Sequence, residues 1–264
     1  MSPTRIVRLC RRHWAKPACF IAFLLVWQAA VTGLGIKVFI LPSPAAILSR
    51  LVDPAAIAKF KWPTHISATF IEIFLSFLAT AAAGMILAIA IAWSNRLAAL
   101  ITPLIVFFNS LPKIALAPLF MVWFGYGVLP NILIAVLVSF FPVVINTVAG
   151  LVNIDEDLLD LVRYLNASKF QIFVKIRLPG SLPLVFSGFK ISATMCVVGS
   201  IVGEFIASER GLGFMLKEAQ AFIDTPTMFA SLFLISLLGM FFFTAISWLE
   251  ALAMPWRRRE GEET

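Results

Sequence analysis

Charge is what this 264-residue sequence has least of. Only 13% of its residues are Asp, Glu, Lys or Arg, where a soluble domain carries about a quarter. Histidine occurs twice, at His13 and His65, and that separation excludes an H-E-x-x-H zinc site. The three cysteines, Cys10, Cys19 and Cys196, stand far apart. Their spacing excludes a metal or redox pair and argues against a disulfide framework. No G-x-S-x-G occurs, and no paired acids or Ser/His set converges, so an intramembrane enzyme is disfavoured. No G-x-x-x-x-G-K-[ST] occurs either, so the chain has no P-loop with which to bind ATP.

What is present is apolar. Hydrophobic residues make up 61% of the chain, which places it among integral membrane proteins. The net charge of +7 fits basic residues flanking membrane spans on the cytoplasmic side. Nucleic-acid binding is not expected, because no basic domain exists to carry it.

Read in order, residues 1–17 form a basic arm with Arg5, Arg8, Arg11, Arg12 and Lys16. The apolar run 18–34 follows. It lacks a small-x-small cleavage site and is read as an uncleaved first helix rather than a signal peptide. Residues 37–61 hold Pro42, Pro44 and Pro54 and suit an amphipathic element on the membrane surface. Further spans are expected at 66–93, 97–124, 129–152, 184–206 and 227–254. The third contains Pro103, Pro112 and Pro118 and must be kinked or broken. Residues 208–223 form a polar loop with a short helix after Gly213, and 255–264 a charged tail.

With the N-terminus inside, the basic arm, Arg96, Arg163, Lys169, Lys175, Arg177, Arg257, Arg258 and Arg259 are cytoplasmic. Lys37, Arg50, Lys59, Lys61, Arg210 and Lys217 are outside. The roughly twofold excess inside supports six spans with both termini cytoplasmic. The fold class is an all-α membrane protein with one transmembrane domain over 18–254.

Residues 157–183, DLLDLVRYLNASKFQIFVKIRLPGSLP, are the longest polar interruption. Leu158, Leu161, Val162 and Leu165 recur at helical spacing opposite Asp157, Asp160, Arg163 and Tyr164. Asn166 breaks the helix. Ser168 and Gln171 have the form of a capping box that opens a second short helix, with Phe170, Phe173 and Val174 as its stripe. Pro179 and Pro183 predict that this helix stops near Leu178. The result is a hairpin over about 155–180, too short to span a bilayer and suited to docking on a partner protein.

This hairpin resembles the EAA loop of permease subunits of binding-protein-dependent ABC importers. The pattern is E-A-A, three residues, Gly, nine residues, I-x-L-P. Ile176, Leu178 and Pro179 match its end. Asp160 falls on the Glu, Leu161 and Val162 on the alanines, and Asn166 on the Gly. Further stretches are similar to the nitrate/sulfonate/taurine-type branch: Leu41-Pro42-Ser43-Pro44, PLFMVWFG over 118–125, FPVVINT over 141–147, and Gly203-Glu204 followed by Gly211-Leu212-Gly213. The resemblance implies a type I importer permease fold in the bacterial inner membrane. It implies a second permease copy, two ATP-binding subunits and a periplasmic or lipid-anchored binding protein. ATP and Mg would sit on the partner ATPase, with no cofactor or metal on this chain. Asp160, Arg163, Asn166, Ala167, Ser168, Phe170, Ile176, Leu178 and Pro179 would couple to the ATPase.

Charges inside spans are costly, roughly 2.5–3.5 kcal/mol each on insertion scales, and default to functional candidates. Lys113 falls near the middle of the third span, facing either a central cavity or, by snorkelling, an interface. Lys190 is read as structural. Glu204, near the outer end of the fifth span, either lines the pathway or pairs with a base. Glu72 stands where sulfonate-type relatives tend to have a basic residue, which weakens a sulfonate assignment and leaves room for thiamine-precursor or riboflavin-type importers. The resemblance thus implies a nitrate/sulfonate/taurine-like or a thiamine-precursor/riboflavin-like solute. The small-residue run 79–84 suits close helix packing. The alternative class, a secondary transporter or channel, would show an inverted repeat with paired broken helices, and only one broken helix is apparent.

Overall fold

The computed structural model describes residues 3–255; the side chains of residues 3–17 and of Arg163 lie outside that description. The basic side chains of the N-terminal arm and the tail beyond Pro255 are therefore among the features it does not address. The described chain is helical: α1 (Pro3–Gly33), α2 (Pro44–Val52), α3 (Pro54–Phe60), α4 (Trp62–Trp93), α5 (Asn95–Ser110), α6 (Ala117–Phe124), α7 (Val128–Val152), α8 (Glu156–Tyr164), α9 (Lys169–Ile172), α10 (Leu178–Ala207), α11 (Leu212–Ala221) and α12 (Thr225–Ala253). Among the described residues, four helical spans have the length and apolarity to cross a bilayer, and a bent pair makes a fifth. In α1 the apolar stretch Ala18–Gly33 is shorter than the ~20 residues a span needs.

The chain divides into two compact units. One contains the chain up to Pro63 with Met215–Phe233. Here Ser43 and Asp53 cap α2 and α3, each with a proline in the first turn, where a missing N–H costs nothing. Trp62 Nε1 donates to the Arg50 carbonyl at 2.9 Å. The Arg50 guanidinium meets Asp224 at 3.3 Å, and the Thr225 hydroxyl donates to the Phe39 carbonyl. The segment 37–61, read as one surface element, is thus two short capped helices tied to the start of α12.

The other unit contains Thr64–Phe214 and the chain from Leu234 on. Its centre is the antiparallel pair α7 and α10, brought together by glycine. A Cβ on Gly199 would collide with the Ala135 backbone, and one on Gly203 would lie 2.7 Å from Asn131 Cα. Gly188 meets Asn146 and Pro142, and Gly150 meets Ser181, in descending register. Small residues allow such approach where no hydrophobic force drives helices together in lipid. A buried polar seam runs alongside: Thr80 and Ser139 hydroxyls are 2.9 Å apart, and the Cys196 thiol reaches Ser139 at 3.1 Å. Ile73, Ala193, Cys196, Val197, Phe242 and Ile246 form an apolar cluster. Lys190 forms an ion pair with Glu250 of α12, in keeping with its structural reading.

The third span breaks as its prolines require. α5 and the helix over Lys113–Phe124 meet at 79°, with a 3₁₀ turn at Lys113–Leu116. A break at membrane depth frees carbonyls that water cannot satisfy. Ser110 donates to the Val106 carbonyl, and Lys113 Nζ donates to the Asn109 carbonyl at 2.8 Å and to its side-chain oxygen at 3.0 Å.

One expectation is overturned. The second arm of the hairpin does not stop near Leu178: the chain is helical without interruption over Lys169–Ala207. A π-helical turn at Phe173–Arg177 makes this possible, with the Leu178 N–H bonding back five residues to the Phe173 carbonyl. The wider turn accommodates the Pro179 ring and the N–H it lacks.

Candidate functional site

The hairpin is built from local signals. Asp155 caps α8, accepting from the Asp157 N–H at 2.9 Å. Glu156 and Asp157 in the first turn complement the helix dipole. The helix ends in a Schellman closure: Ala167 N–H donates to the Val162 carbonyl at 3.0 Å, with Asn166 at φ +57° in the left-handed region. Ser168 then forms a reciprocal capping box with Gln171, at 3.3 Å and 2.8 Å. Leu159 is buried, whereas Leu161, Leu165 and Phe170 are 56%, 68% and 67% exposed. Part of the apolar stripes read from the sequence is thus uncovered within this chain, whereas Phe173 packs edge to face on Trp93. Ile176 falls in the π turn, and Leu178 and Pro179 open α10.

A second constellation lies at the opposite end of α4 and α10. Glu204 is buried, and its two oxygens accept from the Thr69 hydroxyl and the Gly213 N–H, each at 2.6 Å. Thr69 Oγ1 in turn accepts from the Leu212 N–H at 2.8 Å. Gly211 has φ +107°, and a Cβ there would collide with the Glu204 carboxyl. The Gly211 N–H donates to His65 Nδ1 at 3.0 Å, and that ring stacks on Phe214. Glu72, one turn along α4 from Thr69 and also buried, accepts from Asn131 Nδ2 at 3.0 Å. Beside this node a cavity of about 470 Å³ is lined by Ser67, Glu72, Tyr126, Ser208 and Arg210 among others.

The structure therefore brings Glu72 and Glu204 together, a pair of buried acids where none was expected to converge. The partners of Glu204 are neutral donors rather than the base expected as one reading. Lys113 lies elsewhere, 4.8 Å from the Phe141 ring centroid, and Phe141 is roughly 15 Å along α7 from Asn131 at 1.5 Å per residue. Thr69, Asn131 and His65 were not singled out by sequence reasoning. The signal for Asn131 was available: a polar amide inside an apolar span is costly unless partnered.

The described chain is thus all-helical, with long apolar helices, one broken span and a capped hairpin between two of them. Residues 80–258 match the family of binding-protein-dependent transport system inner membrane components, and the chain belongs to that family. It is 32% identical over 241 residues to the formylaminopyrimidine transport permease protein of Halalkalibacterium halodurans, covering 91% of this chain and 95% of that one. It is 31% identical to the riboflavin transport system permease protein of Chloroflexus aurantiacus, covering 96% and 94%. Identity to the taurine transport system permease protein of Escherichia coli is 29%, covering 88% and 86%. The inward-facing MetNI methionine ABC transporter shares the fold, with TM-score 0.63 at 19% identity over 72% of this chain and 94% of that chain. The protein is a permease subunit of an ABC importer with the type I permease fold.

Proposed function

We propose that two copies of this chain form a two-fold pore, and that the hairpin over 155–180 carries the motion of a separate ATPase into it. Two ATP-binding subunits hold ATP and Mg, and a binding protein delivers the solute from outside. This chain binds no cofactor. Both termini are cytoplasmic, and residues 1–17 and 255–264 are peripheral to a transmembrane domain over 18–254. Asp160, Arg163, Asn166, Ala167, Ser168, Phe170, Ile176, Leu178 and Pro179 form the coupling element. The observation that carries this reading is the hairpin itself: a capped, defined turn around which Leu161, Leu165 and Phe170 find no cover in their own chain. Lys113, Glu72 and Glu204 are assigned to the translocation pathway. The solute is a small nitrogen heterocycle of the thiamine-precursor or riboflavin type, rather than a sulfonate. The support is the acid Glu72, where sulfonate-type relatives tend to have a basic residue; identity to the heterocycle permeases, 32% and 31%, is only slightly above the 29% to the taurine permease.

Native mass spectrometry of the intact importer tests the assembly: two permeases with two ATPases are expected, and an active lone permease would refute it. For the pathway, Lys113→Cys in a background lacking Cys10, Cys19 and Cys196 should react with water-soluble thiol reagents, faster or slower when nucleotide is trapped. Protection in every state would remove Lys113 from the pathway.

A further inference from the structure

A third feature lies beside the hairpin, where the corner between α4 and α5 meets α9 and the π turn. A groove of about 620 Å³ is lined there by Trp93, Ser94, Arg96, Lys169, Phe173 and Arg177, among others. Three cations from three elements point to one space, and none of its described lining residues is acidic. Like charges gathered in this way repel one another unless an anion lies between them. Trp93 and Phe173 meet edge to face at 5.4 Å on its wall, and Trp93 ends a membrane span, the depth at which tryptophan marks the headgroup layer. Leading away from the groove, Leu97, Leu100 and Leu104 of α5 are exposed at i, i+3 and i+7, an apolar track on one face.

We infer that this groove binds the phosphate of an anionic phospholipid of the inner leaflet, with Arg96, Lys169 and Arg177 around the headgroup and an acyl chain along Leu97, Leu100 and Leu104. Arginine forks suit phosphate oxygens in pairs, and lysine adds a mobile point charge. A soluble phosphate would use the cations alone; the apolar track favours a lipid. The assignment rests on the cytoplasmic placement of the hairpin proposed above. It places a lipid at the root of the coupling element, where headgroup composition would set how firmly the second arm is held.

The test is native mass spectrometry of the permease–ATPase complex released from nanodiscs containing equal phosphatidylglycerol and phosphatidylcholine. Each base near an anionic surface contributes roughly a fivefold preference. The complex should retain phosphatidylglycerol at least tenfold over phosphatidylcholine, and the triple variant Arg96→Gln, Lys169→Gln, Arg177→Gln should lose that preference. Equal retention of the two lipids, or unchanged preference in the triple variant, overturns the site. Displacement of the lipid by 10 mM inorganic phosphate would show a soluble-anion site instead. Retention by the permease alone but not by the complex would also overturn the site, because the ATPase would then cover the groove. Co-purification of the ATPase with the triple variant is read separately: its loss with the lipid preference intact would count against the docking reading, not against the lipid.

Discussion

The Gly213 N–H donates to Glu204 Oε2 at 2.6 Å, and a Cβ on Gly213 would lie 2.6 Å from the Ile201 carbonyl. The acid at the end of α10 thus holds the loop that follows it, and only glycine fits the space between them. Glu204→Ala should strand the Thr69 hydroxyl and the Gly213 N–H in a buried site. Each polar group left unsatisfied in a buried site costs about 1–3 kcal/mol, seen as a marked fall in melting temperature in detergent. Glu204→Gln keeps the shape and one acceptor and should fall between. If all three proteins melt alike, the clamp carries no stability.

The contact between α7 and α10 makes a sharper demand. Gly199 and Gly203 face Ala135 and Asn131 without room for a methyl group. Either glycine replaced by alanine should cost about 1–3 kcal/mol through overpacking, read as reduced yield of monodisperse protein. Gly33, with nothing within 4 Å of its Cβ position, should accept alanine without loss. Equal yields from all three variants would contradict the observed register.

Lys190 and Glu250 form a part-buried ion pair beside the Phe243 ring. Lys190→Met should destabilise by roughly 3 kcal/mol, because an acid within a span loses its cation. Lys190→Met combined with Glu250→Met should recover most of that loss. Melting temperatures of the two variants decide this; a double variant no better than the single would show that the charges do not act as a pair.

Long apolar runs made most of the fold legible. The spans read at 129–152 and 227–254 match α7 and α12 closely at both ends, and that read at 66–93 matches the end of α4, which begins earlier, at Trp62; each run is bounded by proline, glycine or polar residues. The break in the third span followed from Pro112 and Pro118. Continuity of α9 into α10 was not legible: proline normally ends a helix, and the π turn that absorbs Pro179 leaves no pattern in composition. The partners of Glu204 and Lys190 were hidden for another reason. Thr69 and Glu250 lie far away along the chain, and helical periodicity says nothing of which spans meet. The spacing Gly199-x-x-x-Gly203 is a close-packing pattern that is legible in the sequence. In the hairpin, capping chemistry is local, so Asn166 and Ser168 were readable from a few residues each.

That local chemistry makes Asn166 the place to test the account. Its left-handed backbone is open to glycine, tolerable for asparagine and strained by about 1–2 kcal/mol for a β-branched residue. α8 is too short to be stable alone, and α9 opens the helix that runs uninterrupted to Ala207, so the turn at Asn166 sets the angle between them. The measurement is co-purification of the ATPase subunit, with transport, for Asn166→Gly and Asn166→Val at matched membrane expression. The account predicts that the Gly variant retains the ATPase and the Val variant loses it while its spans still insert. If the two variants retain the ATPase equally, the hairpin is not a rigid docking element.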